Sequence, residues 1–421
     1  MTEIRTGNST MLERAARSPR VALVCDFLEE NWPSMDLVAD MLFEHLDRKH
    51  AGDFSVTRLR PAMWKRLGRL PFDSPLLRNA DRFASRFIDY PRWLRRRARD
   101  FDLFHVVDHS YAHLVNYLPS ERTVVTCHDL DAFRCLLEPE REPRPRWFRA
   151  MTARILSGLK TTAFLITGSS VVRDEIIRHR LSPPERVKVI PNGVHPSCSP
   201  IPDARADAEL ERLLPADPGS TIWLLNVGST MARKRLDVLL RVFAELRRHL
   251  PDVRLLRVGG RLTPPQLQLA RELGVENALV ELGTVDRAVL AAAYRRAHLL
   301  LHTAEAEGFG LPLIEAMACG CPVVATGIPV LREVGGAAVT YCPVADIDAW
   351  KDTVLSLLPP RSGQDAYQLA RERAIAHASA FSWVETARQT AYIYERLLSR
   401  TSALDVPGQL TMNLKKQGGY E

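Results

Sequence analysis

The sequence predicts an α/β fold of two doubly wound, Rossmann-like domains facing each other across a cleft. Three observations predict it. Short apolar runs of strand type alternate with helix-period patterns through both halves of the chain. At 421 residues the chain is longer than one ordinary core serves, so two domains are expected. Two units in the second half, one at Gly228 and one at Gly308–Gly310, join a glycine turn to a helix. Such a turn aims free amides and the positive end of the helix dipole at an anion.

In chain order, residues 1–18 are polar and charged with no apolar core, which predicts a disordered start and no secretory signal. Val21-Ala-Leu-Val-Cys25 is a short apolar strand. Apolar spacing at Val38, Met41, Leu42 and Leu46 predicts a helix over 35–46. Phe54 to Leu59 alternates as a second strand. Leu103–Val107 and Thr123–Cys127 are buried strands, each ending in a polar cluster, Asp108-His109-Ser110 and His128-Asp129. Ligands of open α/β sheets sit at such carboxyl ends. Further strands are expected at Ala163–Thr167 and Val187–Ile190, with a helix at 171–179 between them. Residues 199–220, rich in Pro, Ala and Asp, read as a linker with one short helix. These features place a first domain at 19–198 and a second at 221–383, with a helix over 384–399 and a loose tail at 401–421.

The second domain opens with a strand from Ile222 to Gly228, followed by Arg233-Lys234 and a helix over 236–246. Strands at Val253 and Val280 end in Gly259-Gly260 and Gly283-Thr-Val285. Leu299-Leu-Leu-His302 then leads into Thr303–Thr326. Ala304–Gly310 is small, acidic and glycine-rich, hence a loop. Pro312 suits the first turn of a helix, where its missing N–H costs nothing. Gly320 suits the C-cap, and Val323–Ala325 is a strand. Glu315 is expected in the first helical turn, beside the anion site. Either it complements the helix dipole or it grips paired sugar hydroxyls, as acidic residues grip ribose in dinucleotide folds.

Glu307-Gly-Phe-Gly-Leu-Pro-Leu-Ile-Glu315-Ala-Met-Ala resembles the E-x7-E signature of retaining family 4 glycosyltransferases, which have the GT-B fold. The resemblance implies that Glu315 holds the ribose of a nucleotide-sugar. It implies that Glu307 and the loop of Gly308, Phe309, Gly310 and Leu311 sit at the donor. His128 resembles the family histidine that faces the donor sugar from the first domain. Gly228 with Arg233 and Lys234 resembles the family element whose cations grip the diphosphate. Gly283 and Val285 resemble the strand end that borders the base. By the same analogy the helix at 384–399 crosses back to the first domain. The implied activity is transfer of a hexosyl group from a UDP- or GDP-linked donor to a sugar, glycan or lipid-linked acceptor, with no cofactor and no metal. Two departures stand out. The usual Gly-Gly loop after the first strand is Glu29-Glu-Asn-Trp-Pro-Ser34-Met, and the usual Pro-Ser before the signature is His302-Thr303. The altered loop keeps open a catalytically inactive nucleotide-sugar-binding partner, and an epimerase on the same fold is the other alternative. A phosphorylase would need a lysine-bound pyridoxal cofactor, for which no lysine context argues.

Composition narrows the rest. Hydrophobic residues make up 46% and charged residues 25%, as in a soluble globular protein, and no apolar run reaches the ~18 residues of a membrane span. The seven cysteines lack paired spacing and read as reduced packing residues of a cytoplasmic protein. The net charge of +7 is local. Residues 58–99 carry thirteen Lys and Arg against three Asp, so the remainder sums to −3, which argues against a nucleic-acid footprint. Arg78, Arg82 and Arg86 share one helical face, with Trp64, Phe83, Phe87 and Trp93 interleaved. Such a segment lies on an anionic membrane, on its inner face, or is a surface helix whose aromatics belong to the core. Asp129-Leu-Asp131 also spells a metal-binding triplet, but Asp100-Phe-Asp102 and Asp346-Ile-Asp348 do too, and none is read as a metal site.

Overall fold

The computed structural model describes residues 18–50, 52–66, 74–215, 219–358 and 363–404. Its core is two six-stranded sheets. The first holds β1 (Arg20–Val24), β2 (Ser55–Leu59), β3 (Leu103–Val106), β4 (Thr123–Cys127), β5 (Phe164–Thr167) and β6 (Val187–Val189), in the order β2-β1-β3-β4-β5-β6. The second holds β7 (Ile222–Gly228), β8 (Val253–Gly259), β9 (Leu279–Gly283), β10 (Leu299–His302), β11 (Val323–Thr326) and β12 (Val339–Cys342), in the order β12-β11-β10-β7-β8-β9. Every pairing is parallel.

All-parallel strands need apolar side chains on both faces, since crossover helices cover both. The period of two divides them accordingly. Ala22, Val24, Phe104, Val106 and Val125 enter one core cluster, while Val21, Leu23, Leu103 and Val124 enter the cluster on the opposite face. In the second sheet Trp223, Leu225, Leu256 and Leu300 part from Leu224, Leu255, Leu299 and Leu301 in the same way.

Three elements differ from the sequence reading. The helix of the supposed linker, Ala204–Leu213, buries Ala206 and Leu210 in the second domain's core, so only the turns around it serve as linker. The helix after Gly310 begins at Leu311, which moves Glu315 from the first turn to the second. Between the helices Pro75–Ala84 and Tyr90–Arg97, a π-helical turn at Ser85–Asp89 interrupts the α-helical period, although Arg82 and Arg86 still converge on Glu30. The expected disordered start and loose tail fall at 1–17 and 405–421, outside the described residues, whereas 401–404 continue the last helix.

That last helix, Trp383–Leu404, leaves the second domain and lays Ala387, Ala391 and Tyr394 into the first. The crossing is tight: a Cβ on Gly193 would lie 2.2 Å from the backbone nitrogen of Trp383. Tyr394 hydrogen-bonds Nδ1 of His105 on β3 at 2.6 Å, and Nε2 pairs with Thr126 Oγ1 at 2.7 Å. Burial drives the His105 imidazole down to about 3, so it stays neutral and both nitrogens need partners. Tyr394→Phe is therefore expected to cost about 1–3 kcal/mol by leaving Nδ1 unpaired. Urea unfolding of the full chain measures it; an unchanged midpoint would mean the last helix adds nothing through this contact.

Candidate active site

A parallel sheet opens a crevice at its carboxyl edge where the strand order reverses. In the second sheet that point lies between β7, whose chain continues to β8, and β10, whose chain continues to β11. The turn after β7 and the loop after β10 rise there side by side. They are fastened together: Glu305 N donates to Arg233 O at 2.9 Å, Thr303 Oγ1 to Lys234 O at 3.0 Å, and Arg235 pairs with Glu305 at 2.8 Å.

This fastening brings four charged or ionisable side chains to one point. The Glu307 carboxylate pairs with Lys234 Nζ, lies 2.9 Å from His302 Nε2 and 3.6 Å from Arg233. Burial alone would raise the Glu307 carboxyl, but Lys234, His302 and Arg233 outweigh it and hold it well below the usual carboxylate range. Glu307 is therefore an anion at any working pH. His302, buried more deeply, is pushed down despite its carboxylate neighbour and stays neutral at pH 7.

Arg233 also reaches across the cleft. Its guanidinium lies 3.1 Å from Asp131 and 3.6 Å from Asp129 of the first domain. The signature loop docks on that domain as well. Ser169 Oγ donates to Gly308 O at 2.9 Å, and a Cβ on Gly308 would stand 1.9 Å from the carbonyl oxygen of His128. Phe309 packs over Gly168 and edge-on to Phe381. The structure thus places His128 against Gly308. The His128 ring donates Nε2–H to Val107 O at 2.8 Å, and its backbone N–H donates to His109 Nδ1 at 3.2 Å.

Gly310 takes the left-handed conformation, φ 96°, at the cap of helix Leu311–Ala318, one turn before Glu315. The Glu315 carboxyl is buried and raised by that burial, with Arg287 at 4.0 Å and the Tyr294 hydroxyl at 3.0 Å only partly offsetting it. Gly228, φ 144°, closes β7 and accepts from Gly260 N. Gly283, φ 62°, ends the edge strand β9, and Val285 and Leu311 pack on the second domain's core. Glu307, Arg233, Lys234 and the Gly308–Gly310 loop are thus one cluster, with His128 across the cleft. Leu311 follows Gly310 directly, Glu315 lies one helical turn on, and Gly283 with Val285 stand two strands away.

The Asp-x-Asp triplets have other partners. Asp129 and Asp131 face Arg233, Asp102 accepts from Arg20 N, and Asp346 caps helix Ile347–Leu357. His50, Asp53 and Glu395 bring potential ligand atoms within 4.8 Å of one another, but on the surface where helix Pro33–His50 ends, far from the cleft.

Comparison with known proteins agrees with this geometry. The model for glycosyl transferases group 1 matches residues 221–359, and that for glycosyltransferase family 4 matches 52–197. O-antigen chain mannosyltransferase B of Escherichia coli is 30% identical over 316 residues, 74% of this chain and 80% of its own. The chain belongs to the group 1, family 4 glycosyltransferases. A D-inositol 3-phosphate glycosyltransferase of Segniliparus rotundus is 32% identical over 235 residues, and the alignment spans 53% of this chain and half of that relative. Among solved GT-B structures, Anabaena Alr3699/HepE in complex with UDP and glucose aligns with TM-score 0.66 at 17% identity, over 90% of this chain and all of that one.

In this glycosyltransferase several site residues carried no sequence signal. His302 stood out only as a departure from a family pattern, Asp129 only in a polar strand end and a discounted triplet, and Asp131 only in that triplet. Tyr294, Ser169 and Arg287 gave none, because their roles depend on contacts between distant segments. Arg287, whose guanidinium donates to Pro33 O at 3.0 Å, ties the unusual loop to the Glu315 side of the cleft. Docking of Gly308 on His128 yields a specific expectation. Gly308→Ala should lower kcat/KM by about 10²-fold through misplacement of the loop by an ångström or so. Steady-state kinetics beside a thermal melt checks it; normal turnover would show that the loop need not dock.

Proposed function

We propose that this glycosyltransferase moves a hexosyl group from a UDP- or GDP-linked sugar to an acceptor hydroxyl, with retention at the anomeric carbon and without a metal. The observation that carries the reading is the convergence of Arg233, Lys234, His302 and Glu307 beside the Gly308–Gly310 loop. The chemical difficulty of such a transfer is the departing nucleoside diphosphate. Two fixed cations and loop amides stabilise that charge without reorganising during the reaction. Arg233 and Lys234 take this role, with Glu307 and His128 at the donor sugar. Glu315 takes the ribose hydroxyls, and Gly228, Gly283, Val285 and Leu311 line the nucleotide side. The HepE complex with UDP and glucose and the O-antigen mannosyltransferase are consistent with a nucleotide-sugar donor and a glycan acceptor. An ionised Glu307 serves either front-face attack by the acceptor or a covalent intermediate.

Thermal shift against UDP, GDP and ADP sugars identifies the donor, since a ligand that binds only the folded state stabilises it by mass action. With that donor saturating, Lys234→Ala is expected to lower kcat by about 10²–10³-fold, as for loss of one oxyanion-hole donor. EDTA is expected to leave the wild type active. Normal turnover by Lys234→Ala would remove the cation from the reaction, and a strict metal requirement would return the Asp129-Leu-Asp131 triplet to the site.

The acceptor side is proposed to meet an anionic membrane through residues 58–99. Five of that segment's cations are engaged within the first domain: Arg58 with Asp40, Arg60 with Asp36 and Asp40, Arg66 with Asp89, and Arg82 and Arg86 with the buried Glu30. Phe87 and Trp93 pack on the core, as the plainer reading expects. Arg92, Arg95, Arg96, Arg97 and Arg99 remain exposed, and Leu76, Phe83 and Ile88 are exposed apolar residues of the same segment. No described helix is long and apolar enough to cross a membrane. Each surface cation contributes ~1 kcal/mol near anionic lipid, so these five suffice for reversible binding that salt weakens. Co-sedimentation with anionic but not neutral vesicles is expected, and its loss when Arg95, Arg96 and Arg97 become Ser. Equal recovery of both proteins in the supernatant would sink the membrane contact.

A further inference from the structure

The first sheet has its own switch point, between β1, which leads to β2, and β3, which leads to β4. Asp26 follows β1 and Asp108 follows β3, so both stand at that crevice. Asp26 is 1% exposed, yet neither carboxylate oxygen has a hydrogen-bond partner. Beside it, Asp36 Oδ1 and Arg60 Nε and NH2 are also buried and unsatisfied, although the two side chains stand 3.4 Å apart. Three elements thus bring unmet acceptors and donors to one place, and buried polar groups are rarely left unpaired. The catalytic assignment above uses none of them.

The charges around Asp26 locate this cluster. Asp108 stands 3.5 Å from His109, and its carboxyl is held down by His109 and His128 against the effect of burial. On the other side Asp36 feels Arg60, Asp40 and, from the second domain, Arg287. The cluster thus sits at the carboxyl edge of the first sheet, buried, with Asp108 on its histidine side and Asp36 on the side that faces Arg287. Burial, Asp108 and Asp36 together push the Asp26 carboxyl up to about 7, with Arg60 offsetting little.

We infer that Asp26, Asp36 and Arg60 form the acceptor subsite and read adjacent hydroxyls of a neutral sugar, the carboxylates accepting and the guanidinium donating. This rests on the transferase reading above and adds the acceptor's chemistry to it. A phosphate-bearing polyol fits poorly, because Arg58 is paired with Asp40 and Asp108 faces His109, which leaves Arg60, already shared with Asp36 and Asp40, as the nearest cation to Asp26.

The test is direct binding, which does not need turnover. Saturation-transfer NMR titrations use the wild-type full chain with methyl glycosides of mannose, glucose and galactose, and with myo-inositol 1-phosphate. They are repeated on Asp26→Asn, which keeps the volume, and Asp26→Ala, which removes both oxygens. At least one glycoside is expected to bind, with affinity about tenfold or more weaker in both variants, as for a lost hydrogen bond to a charged group. UDP and GDP affinity should not change. If no glycoside binds, if the inositol phosphate binds instead, or if the variants bind as the wild type does, the inference is overturned. Failure to bind any nucleoside diphosphate would instead strike the transferase reading. A thermal melt separates a structural role. The folded pKa stands above the unfolded value near 3.8, so Asp26 withdraws stability as pH rises from about 4 to 7. Asp26→Asn should thus melt no lower than the wild type at pH 8, the two converging towards pH 4. A lower midpoint at pH 8 with unchanged glycoside binding would assign Asp26 to the fold.

Discussion

A carboxylate removed from water must be matched by charge and hydrogen bonds, and the site of this protein is built around that requirement at Glu307. Lys234 and Arg233 arrive from the turn after β7 and His302 from the end of β10, while Glu307 sits on the loop that follows. Satisfying one anion therefore fixes the two segments that flank the second sheet's switch point. Loop Thr303–Gly310 contains no regular structure, and its shape comes from these pairs and from Glu305, Thr303 and Gly310. A buried pair is weak evidence for stability, but it is strong evidence for geometry, because few arrangements satisfy it.

Strand order supplies the other constraint. The second sheet reads β12-β11-β10-β7-β8-β9 and the first β2-β1-β3-β4-β5-β6, so each has one reversal near its middle. The last helix ties the two units by burying Tyr394 in the first. Across the cleft apolar contacts such as Phe309 over Gly168 are joined by specific polar ones. Glu333 accepts from Ser170 N at 2.7 Å, Ser170 Oγ at 2.7 Å and Val171 N at 3.2 Å, at the start of helix Ser170–Arg178. A carboxylate suits the exposed amides and positive dipole of that helix end. Together with Ser169 on Gly308 and Arg287 on Pro33, it holds the domains closed at three separate points.

Sheets and helices were legible because their signals are local. Apolar runs such as Leu103–Val107 and the 3.6-residue spacing of Val38, Met41, Leu42 and Leu46 decide strand or helix within a few residues. The glycine turns and the E-x7-E spacing were legible for the same reason. Errors arose where tertiary packing overrode a local pattern. Composition suggested a linker at 199–220, yet Ala206 and Leu210 found the second core. Pro312 implied a first turn that reached Glu315, whereas Gly310 in the left-handed region sets the cap and starts the helix at Leu311, one residue before Pro312, so Glu315 falls just past that turn. Residues whose meaning lies in a partner far along the chain were not readable at all. Tyr294 on Glu315, Arg287 on Pro33 and Asp26 beside Asp36 and Asp108 belong here.

The charges of the cleft also divide by domain. Arg233, Lys234 and Glu307 belong to the second and by themselves carry a net positive charge. Asp129 and Asp131 belong to the first, and in the closed arrangement they turn the balance negative. Separating the domains strips Arg233 of both aspartates and leaves a cation beside loop amides, a field that attracts an anionic ligand. Bringing them together with a diphosphate in place sets carboxylates and phosphates against the same guanidinium. Burial and the Asp129 charge already raise the Asp131 carboxyl, so this side of the balance is the weaker one. Closure is therefore favourable only so far as docking of Gly308 on His128, Glu333 on helix Ser170–Arg178 and Arg287 on Pro33 outweighs the crowding of negative charge. With the diphosphate donor proposed above, the same crowding would favour departure of the leaving group once the glycosyl bond is broken. The pairs that assemble the site thus also limit how long it stays closed.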